Sequence, residues 1–422
     1  MIIQGIFRKG IFVTISFFKG KKFLQDIVIN IFSTAIIVSL LQFLVYPLIS
    51  RKFNVDTFGD ILTIMGIINI VSVVLGNSLN NIRLIVNNDY LDKKISGDFI
   101  PILLLASIVN LLSILLITSV NIVNELILNK ILIVFISLLT MLRAYLSVGY
   151  RLKIDYNKIF YHSVIYAIGL ITGVVIFYFQ PSNLWEIVFL FGEIFSIIFL
   201  FLTTSLHREP FKLTKKFKST FNKYSSLAFS NFIGNVLVYL DRLMILPLLG
   251  GKQVAVYYAA TLIGKMSSFI LQPVSGVLLT YFSKSKRRMK VKEFLLINLL
   301  ILIFGVIAFV GCIYFSTYIL KYLYPNLYDD VSEILILATI AAILTASSSI
   351  TQSIILRYCA TFWQTVIQSI YGLIYIVVGV ILINHSGLIG FCIATTFAAV
   401  VKMLLIILIG SFSLKLTSNY EN

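Results

Sequence analysis

The chain reads as an all-α integral membrane protein of about twelve transmembrane helices in two six-helix lobes, and three observations predict it. Its 422 residues are 59% hydrophobic and only 12% charged, with a mean hydropathy of +0.99, far from the composition of soluble domains. Apolar runs of about 20 residues, the length that crosses a bilayer, recur from end to end. Lys and Arg collect in alternate short loops, the asymmetry expected when basic loops stay in the cytoplasm.

Residues 1 to 22 place Arg8, Lys9, Lys19, Lys21 and Lys22 between short apolar runs and lack a small-residue cleavage site. They predict an interfacial lead-in rather than a cleaved signal. Six spans follow, near Ile27 to Ile49, Phe58 to Leu79, Phe99 to Val120, Ile131 to Tyr150, Ile159 to Phe179 and Leu184 to Leu206. The basic stretch His207 to Tyr224 then separates them from six more, near Ser225 to Leu249, Val254 to Phe282, Phe294 to Leu320, Val331 to Ile355, Thr365 to Ile383 and Leu388 to Ser411. The predicted organisation is an N-terminal lobe over 1–206, a cytoplasmic linker over 207–224 and a C-terminal lobe over 225–422. Pro47-Leu48-Ile49 and Pro247-Leu248-Leu249, each closing the first span of its half, fit an internal repeat.

The loops test the division. One side receives the N-terminus, Arg83 with Lys93 and Lys94, Arg151 with Lys153 and Lys158, the runs Arg208 to Lys223 and Lys284 to Lys292, Arg357 and Lys415. The other receives only Arg51, Lys52, Lys130, Lys252 and Lys321. Both termini are thereby expected in the cytoplasm. A net charge of +17 would suggest nucleic acid in a soluble chain. Here it follows loop sidedness, and no nucleic-acid partner is expected. Trp185 and Trp363 fall at span ends, where an interfacial aromatic belt would put them.

Cys312, Cys359 and Cys392 are far apart, as are His162, His207 and His385, so neither a disulfide framework nor a zinc spacing is present. No Walker A or Gly-x-Ser-x-Gly motif occurs, which argues against an ATPase or a familiar hydrolase and implies no cofactor.

Polar residues inside the spans are the functional candidates, because each must face protein or water rather than lipid. The second span carries Asn69, Ser72, Gly76, Asn80 and Arg83 at helical spacing; the eighth carries Thr261, Lys265, Ser268, Gln272 and Ser275. The fourth has Thr140, Arg143, Ser147 and Tyr150, and the seventh Asn231, Asn235 and Arg242. Interhelical hydrogen bonding accounts for the uncharged members. Of the cations, Lys265 is mid-span, and Lys402 lies about 12 Å from its span end, too deep to snorkel easily, whereas Arg83 is within reach of the interface. Two acids lie within spans, Glu193 and Asp241, either ion-coupling groups or salt-bridge partners. Glu186 reads as an interfacial charge.

The stretch Tyr239 to Ala260, with Asp241-Arg242 in an apolar run, Pro247, the turn at Gly250-Gly251 and Val254-Ala255-Val256-Tyr257, resembles the seventh helix and following turn of bacterial polysaccharide flippases. These form the oligosaccharide branch of the superfamily that also holds the MATE multidrug exporters. Ile49-Ser50-Arg51 through Phe58-Gly59, Leu323-Tyr324-Pro325 with Tyr328, and Gly387 to Thr395 extend the resemblance. Ala255 stands where that family commonly has Gly. The resemblance implies two lobes around a central cavity in the bacterial inner membrane. It implies a cargo of oligosaccharide linked through pyrophosphate to a polyprenol lipid, flipped by alternating access for O-antigen or capsule assembly alongside other polysaccharide assembly proteins, with H+ or Na+ as coupling ion. Lys265, Arg143, Arg242, Lys402 and Arg83 would then contact the anionic head group, and Glu193 or Asp241 would carry the ion. Two alternatives stand beside this reading. A MATE-like multidrug/ion antiporter is disfavoured by the basic cavity; a membrane polysaccharide polymerase is disfavoured by the short outer loops.

Overall fold

The computed structural model describes residues 21–92, 95, 97–119, 127–180, 184–266, 289–358 and 361–419. The chain is helical throughout these. In order run α1 (Lys21–Leu40), a π-helical turn (Leu41–Val45), α2 (Tyr46–Lys52), α3 (Val55–Ile68), a second π-turn (Asn69–Val73), α4 (Val74–Asp92), α5 (Phe99–Ser119), α6 (Ile127–Leu146) and α7 (Val148–Leu152). Next come α8 (Tyr156–Phe179), α9 (Glu186–Thr203), α10 (Phe217–Val238), α11 (Leu240–Leu249), α12 (residues 251–266), α13 (Val291–Leu323), α14 (Tyr328–Tyr358) and α15 (Thr361–Asn419).

Local chemistry explains the boundaries. Asn54 accepts the Thr57 N–H at 2.7 Å and starts α3; Asp155 accepts from Lys158 and starts α8. The first π-turn lies just ahead of Pro47, which has no N–H to continue the α ladder. α15 is interrupted at Ser386 (φ −134°, ψ 17°) and Gly387 (φ 59°, ψ −138°), a left-handed position that glycine tolerates.

Among the described residues, nine helices are long and apolar enough to cross a membrane, or ten with the bent pair α10–α11 counted as one. The chain is thus an all-α, multi-pass membrane bundle. The count differs from the expected twelve in two places. The eighth span runs into residues 267–288, outside the described ones, as do Ser268, Gln272 and Ser275 of its polar stripe. The eleventh and twelfth run as one helical element, Thr365–Lys415, across the Ser386–Gly387 break. The seventh span is not straight: α10 and α11 meet at 54°.

Contacts gather the chain into two compact units, described separately below. Among the described residues the N-terminal unit takes 21–52 and 60–243, and the C-terminal unit 53–59 and 244–419. In the N-terminal unit α8 packs on α9 and α1, α9 on α6, and α10 on α4. Its buried apolar cluster joins Leu79, Phe99, Met141, Tyr145, Leu200 and Tyr224. In the C-terminal unit α14 packs on α15 and α13. The segment 53–59 is held there by Phe58, 1% exposed, between the rings of Tyr258 and Tyr324, and by Gly59, where a Cβ would come within 1.8 Å of the Gly251 carbonyl oxygen. Only glycine permits that approach.

Two interfacial expectations change. Trp185 is 1% exposed and packs edge-on against Phe189, and Glu186 is fully buried, so both face protein rather than the membrane surface.

Candidate functional site

Glu193 organises the buried charge of the N-terminal unit. It sits on α9 with its side chain 3% exposed, and α6 brings Arg143 to it from fifty positions earlier in the sequence. Arg143 Nε donates to Oε2 at 2.7 Å and Nη2 to Oε1 at 2.9 Å. Thr140, one turn earlier on α6, donates to Oε1 at 3.0 Å, and Tyr166 Oη on α8 approaches it at 3.4 Å. The guanidinium also lies 4.6 Å from the centre of the Tyr166 ring. One turn along α9, Ser196 is hydrogen-bonded to His162. A bidentate pair with further donors is the arrangement that makes a buried carboxylate tolerable. Thr140 and Arg143 of the fourth span's stripe therefore serve Glu193, while Ser147 accepts from Asn80 and Tyr150 is hydrogen-bonded to Thr203; the two candidates Arg143 and Glu193 are one ion pair.

Arg83, expected to reach the interface, instead forms a two-pronged pair with Glu209 of the linker, at 2.9 and 2.6 Å, with its guanidinium 3.8 Å from the Phe99 ring centre. Burial raises the Glu209 pKa from its ordinary value more than Arg83 lowers it. The linker is tied down again by Asp98, which accepts from the Thr214 N–H at 2.7 Å, from the Thr214 hydroxyl and from Tyr90 Oη at 2.6 Å. Burial, reinforced by that last bond, pushes Tyr90 up to about 12.

Asp241 and Arg242 lie just beyond the bend between α10 and α11, not inside a continuous helix. Asp241, 4% exposed, is in the first turn of α11, where a carboxylate meets free N–H groups, and it accepts from the Arg242 N–H at 2.9 Å. Arg242 Nη1 donates to the Leu62 carbonyl at 2.6 Å, and its guanidinium lies 5.3 Å from the Tyr239 ring.

The C-terminal unit is built differently. Its acids are Asp56 of the 53–59 segment, which accepts from the Lys252 N–H, and after Met244 Glu293, Asp329, Asp330, Glu333 and Glu421, all near helix starts or the chain end, while Lys265 and Lys402 lie inside spans. Lys402 is 6% exposed, and its Nζ lies 4.8 Å from the Tyr371 ring centre. Among the described residues it has no hydrogen-bond or ion-pair partner. Lys265 is exposed, with Nζ 5.7 Å from the Tyr257 ring. A run of ring contacts connects the two tyrosines: Tyr257 with Phe391 at 5.1 Å, Phe391 with Tyr375 at 5.8 Å, and Tyr375 stacked on Tyr371 at 5.7 Å.

Tyr166, His162, Asp98 and Tyr371 were not candidates from the sequence. Only Asp98 carried a local signal, in the Gly97-Asp98 pair just before an apolar run. The others are brought to their partners by tertiary packing.

No family model matches the chain, and no curated relative is found. Solved structures do match. An inward-facing multidrug resistance MATE family transporter of the MOP superfamily superposes with a TM-score of 0.67 at 13% identity, over 93% of this chain and 96% of that one. The inward closed conformation of the lipid II flippase MurJ gives 0.61 at 19%, over 91% and 85%. The chain has the MurJ/MATE fold. The bent form of the Vibrio cholerae MATE transporter VcmN superposes on this chain with a TM-score of 0.56 at 11% identity, over 94% of this chain and 97% of that one. Identities this low speak for the fold, so the cargo has to be argued from the charged residues themselves.

Proposed function

We propose that this chain is an alternating-access transporter that flips a polyprenyl-pyrophosphate-linked oligosaccharide across the bacterial inner membrane, with both termini cytoplasmic. The observation that carries the reading is the charge inside the second half. Two cations, Lys265 and Lys402, lie within spans that hold no acid. A cationic drug would be repelled there, whereas a diphosphate would be drawn by the excess of positive charge. Lys265, exposed on α12, is the principal contact for the anionic group. Arg143, Arg242 and Arg83 have protein partners in this conformation and reach cargo only by exchanging them. No step calls for bond chemistry by the protein, so the role is transport rather than catalysis.

The second reading is a MATE-like multidrug/ion antiporter. Fold likeness taken alone favours it, since the MATE structure superposes better than MurJ does, and a buried carboxylate such as Glu193 suits an ion-coupled exporter. One comparison separates the two. In a deletion strain complemented at matched membrane abundance, Lys265→Ala should abolish surface glycan, and Lys265→Arg should retain part of it because charge survives while geometry changes. Normal surface glycan from Lys265→Ala, with altered efflux of a cationic dye, would favour the drug exporter instead.

A further inference from the structure

We propose that Lys402 is a proton-binding site, loaded as an ammonium held against the Tyr371 ring and emptied as a neutral amine. In emptying, Nζ gives one proton to water and keeps the electron pair. The proposal rests on the transporter reading only for the use made of that proton, not for the site itself.

A buried ammonium without counter-charge either acquires an acceptor from outside or loses its proton. The acids of the second half are all remote in sequence from the middle of a span, and among the described residues none forms an ion pair with Lys402. The ring supports the charged form through its electron-rich face and has no reason to hold the amine. The surroundings decide between a proton and an anion. On the face of α15 that Lys402 occupies, Ala398, Ala399 and Ile406 are 0 to 1% exposed, and Met403 beside it is 4% exposed. A phosphate or carboxylate bound there would need several donors and room to sit. The described structure offers one ammonium at 6% exposure, and a proton needs no space.

Other titratable groups lie on the packed elements. α14 carries Tyr328, Asp329, Asp330 and Glu333 in its first turns, and the side chains of Arg357 and Tyr358 at its end lie outside the described ones; α13 carries Lys292, Glu293, Cys312, Tyr314, Tyr318, Lys321 and Tyr322. α12 carries Lys252, Tyr257, Tyr258 and Lys265, and α15 itself Tyr371, Tyr375, His385, Cys392 and Lys415. Of these, Tyr371 alone among the described residues meets Lys402 Nζ. Loading would draw the Tyr371 ring toward Nζ, and emptying would remove that attraction. Through Tyr375, Phe391 and Tyr257 the same packed rings reach Lys265, so a shift of Tyr371 on loading or emptying can be passed by packing to the cation proposed to meet the cargo.

The test uses the full chain in lipid nanodiscs with 13C at the lysine ε-carbons. The resonance missing from Lys402→Met identifies the site. Its shift should follow pH as a one-proton titration, with a midpoint that Tyr371→Leu moves and Tyr371→Phe preserves. A resonance fixed at the ammonium or the amine position throughout the physiological range overturns the proposal. In complemented cells Lys402→Arg, which keeps charge but does not release it, should lose export at normal membrane abundance; undiminished export also overturns it. If the resonance titrates while surface glycan proves independent of this chain, the cargo reading fails and the proton site stands.

Discussion

In the N-terminal unit Arg143 meets Glu193 through two hydrogen bonds, whereas in the C-terminal unit Lys402 meets a tyrosine ring and no acid. Both are cations within membrane-spanning helices, Lys402 buried and Arg143 half-buried, and the difference lies in what else was supplied. Around Glu193 every carboxylate oxygen has a donor, from α6 and α8, so the pair fixes the packing of three helices. Around Lys402 the chain supplies apolar residues and a ring, which leaves the charge state of the site open to solvent pH. A matched pair is suited to holding a fold, and a single ion to changing state. The contrast makes opposite predictions for the same kind of substitution.

The largest effect is expected at Glu193. Glu193→Gln leaves Arg143 without its counter-charge and should cost about 3–5 kcal/mol, read as a lower thermal midpoint in detergent and lower membrane abundance. Adding Arg143→Met should recover much of the loss, because the uncompensated guanidinium is then gone. The coupling energy from that double-mutant cycle measures the pair. If Glu193→Gln leaves the midpoint unchanged yet makes export insensitive to an uncoupler, Glu193 is an ion-coupling group after all, and the contrast between the units breaks.

Which of these features the sequence makes legible follows from the range of the interactions. Apolar run length depends on local sequence alone, and the expected spans coincide with described helices nearly everywhere. The polar stripe Thr140, Arg143, Ser147 was also legible, since helical spacing puts those residues on one face. Its partner was not: Glu193 comes from a different helix, and nothing in the intervening fifty residues marks the pairing. Arg83 was expected to snorkel because its own span ends nearby, while the acid it binds belongs to a linker folded back onto the unit. The bend at Tyr239 was hidden because no Pro or Gly occurs there; Pro247, the visible breaker, lies inside α11. The isolation of Lys402 could have been inferred from the positions of the acids, because a missing residue type is a property of the sequence. Tyr371 as its contact required the packing of α15.

An intermediate effect of opposite sign is expected at Lys402. Lys402→Met removes an ion that has no protein acid to abandon and substitutes an apolar side chain of similar length. The melting midpoint should therefore rise, by the equivalent of about 1 kcal/mol or more, even as export is lost. A fall comparable to that of Glu193→Gln would mean that the ammonium is structurally paired, and the distinction between the two units would disappear.

The smallest effect is expected at Arg83–Glu209, which has the same two-pronged geometry as Arg143–Glu193 but an acid side chain 21% exposed where that of Glu193 is 3% exposed. With water near, the Coulombic gain and the desolvation cost nearly cancel, so Glu209→Gln should change stability by less than about 1 kcal/mol. The pH dependence gives the sign. Because burial raises the pKa of Glu209 in the folded chain, the folded state binds its proton more readily than the unfolded state does. Its contribution is then present at acid pH and lost as pH rises from the ordinary carboxylate value, 4.5, through the raised one. Relative to Glu209→Gln, which has no proton to lose, the wild-type midpoint should decline across that window. A wild type that instead gains on Glu209→Gln as the carboxyl ionises would show that Arg83 outweighs burial. The linker pair would then belong with Arg143–Glu193 as a second structural ion pair of the N-terminal unit.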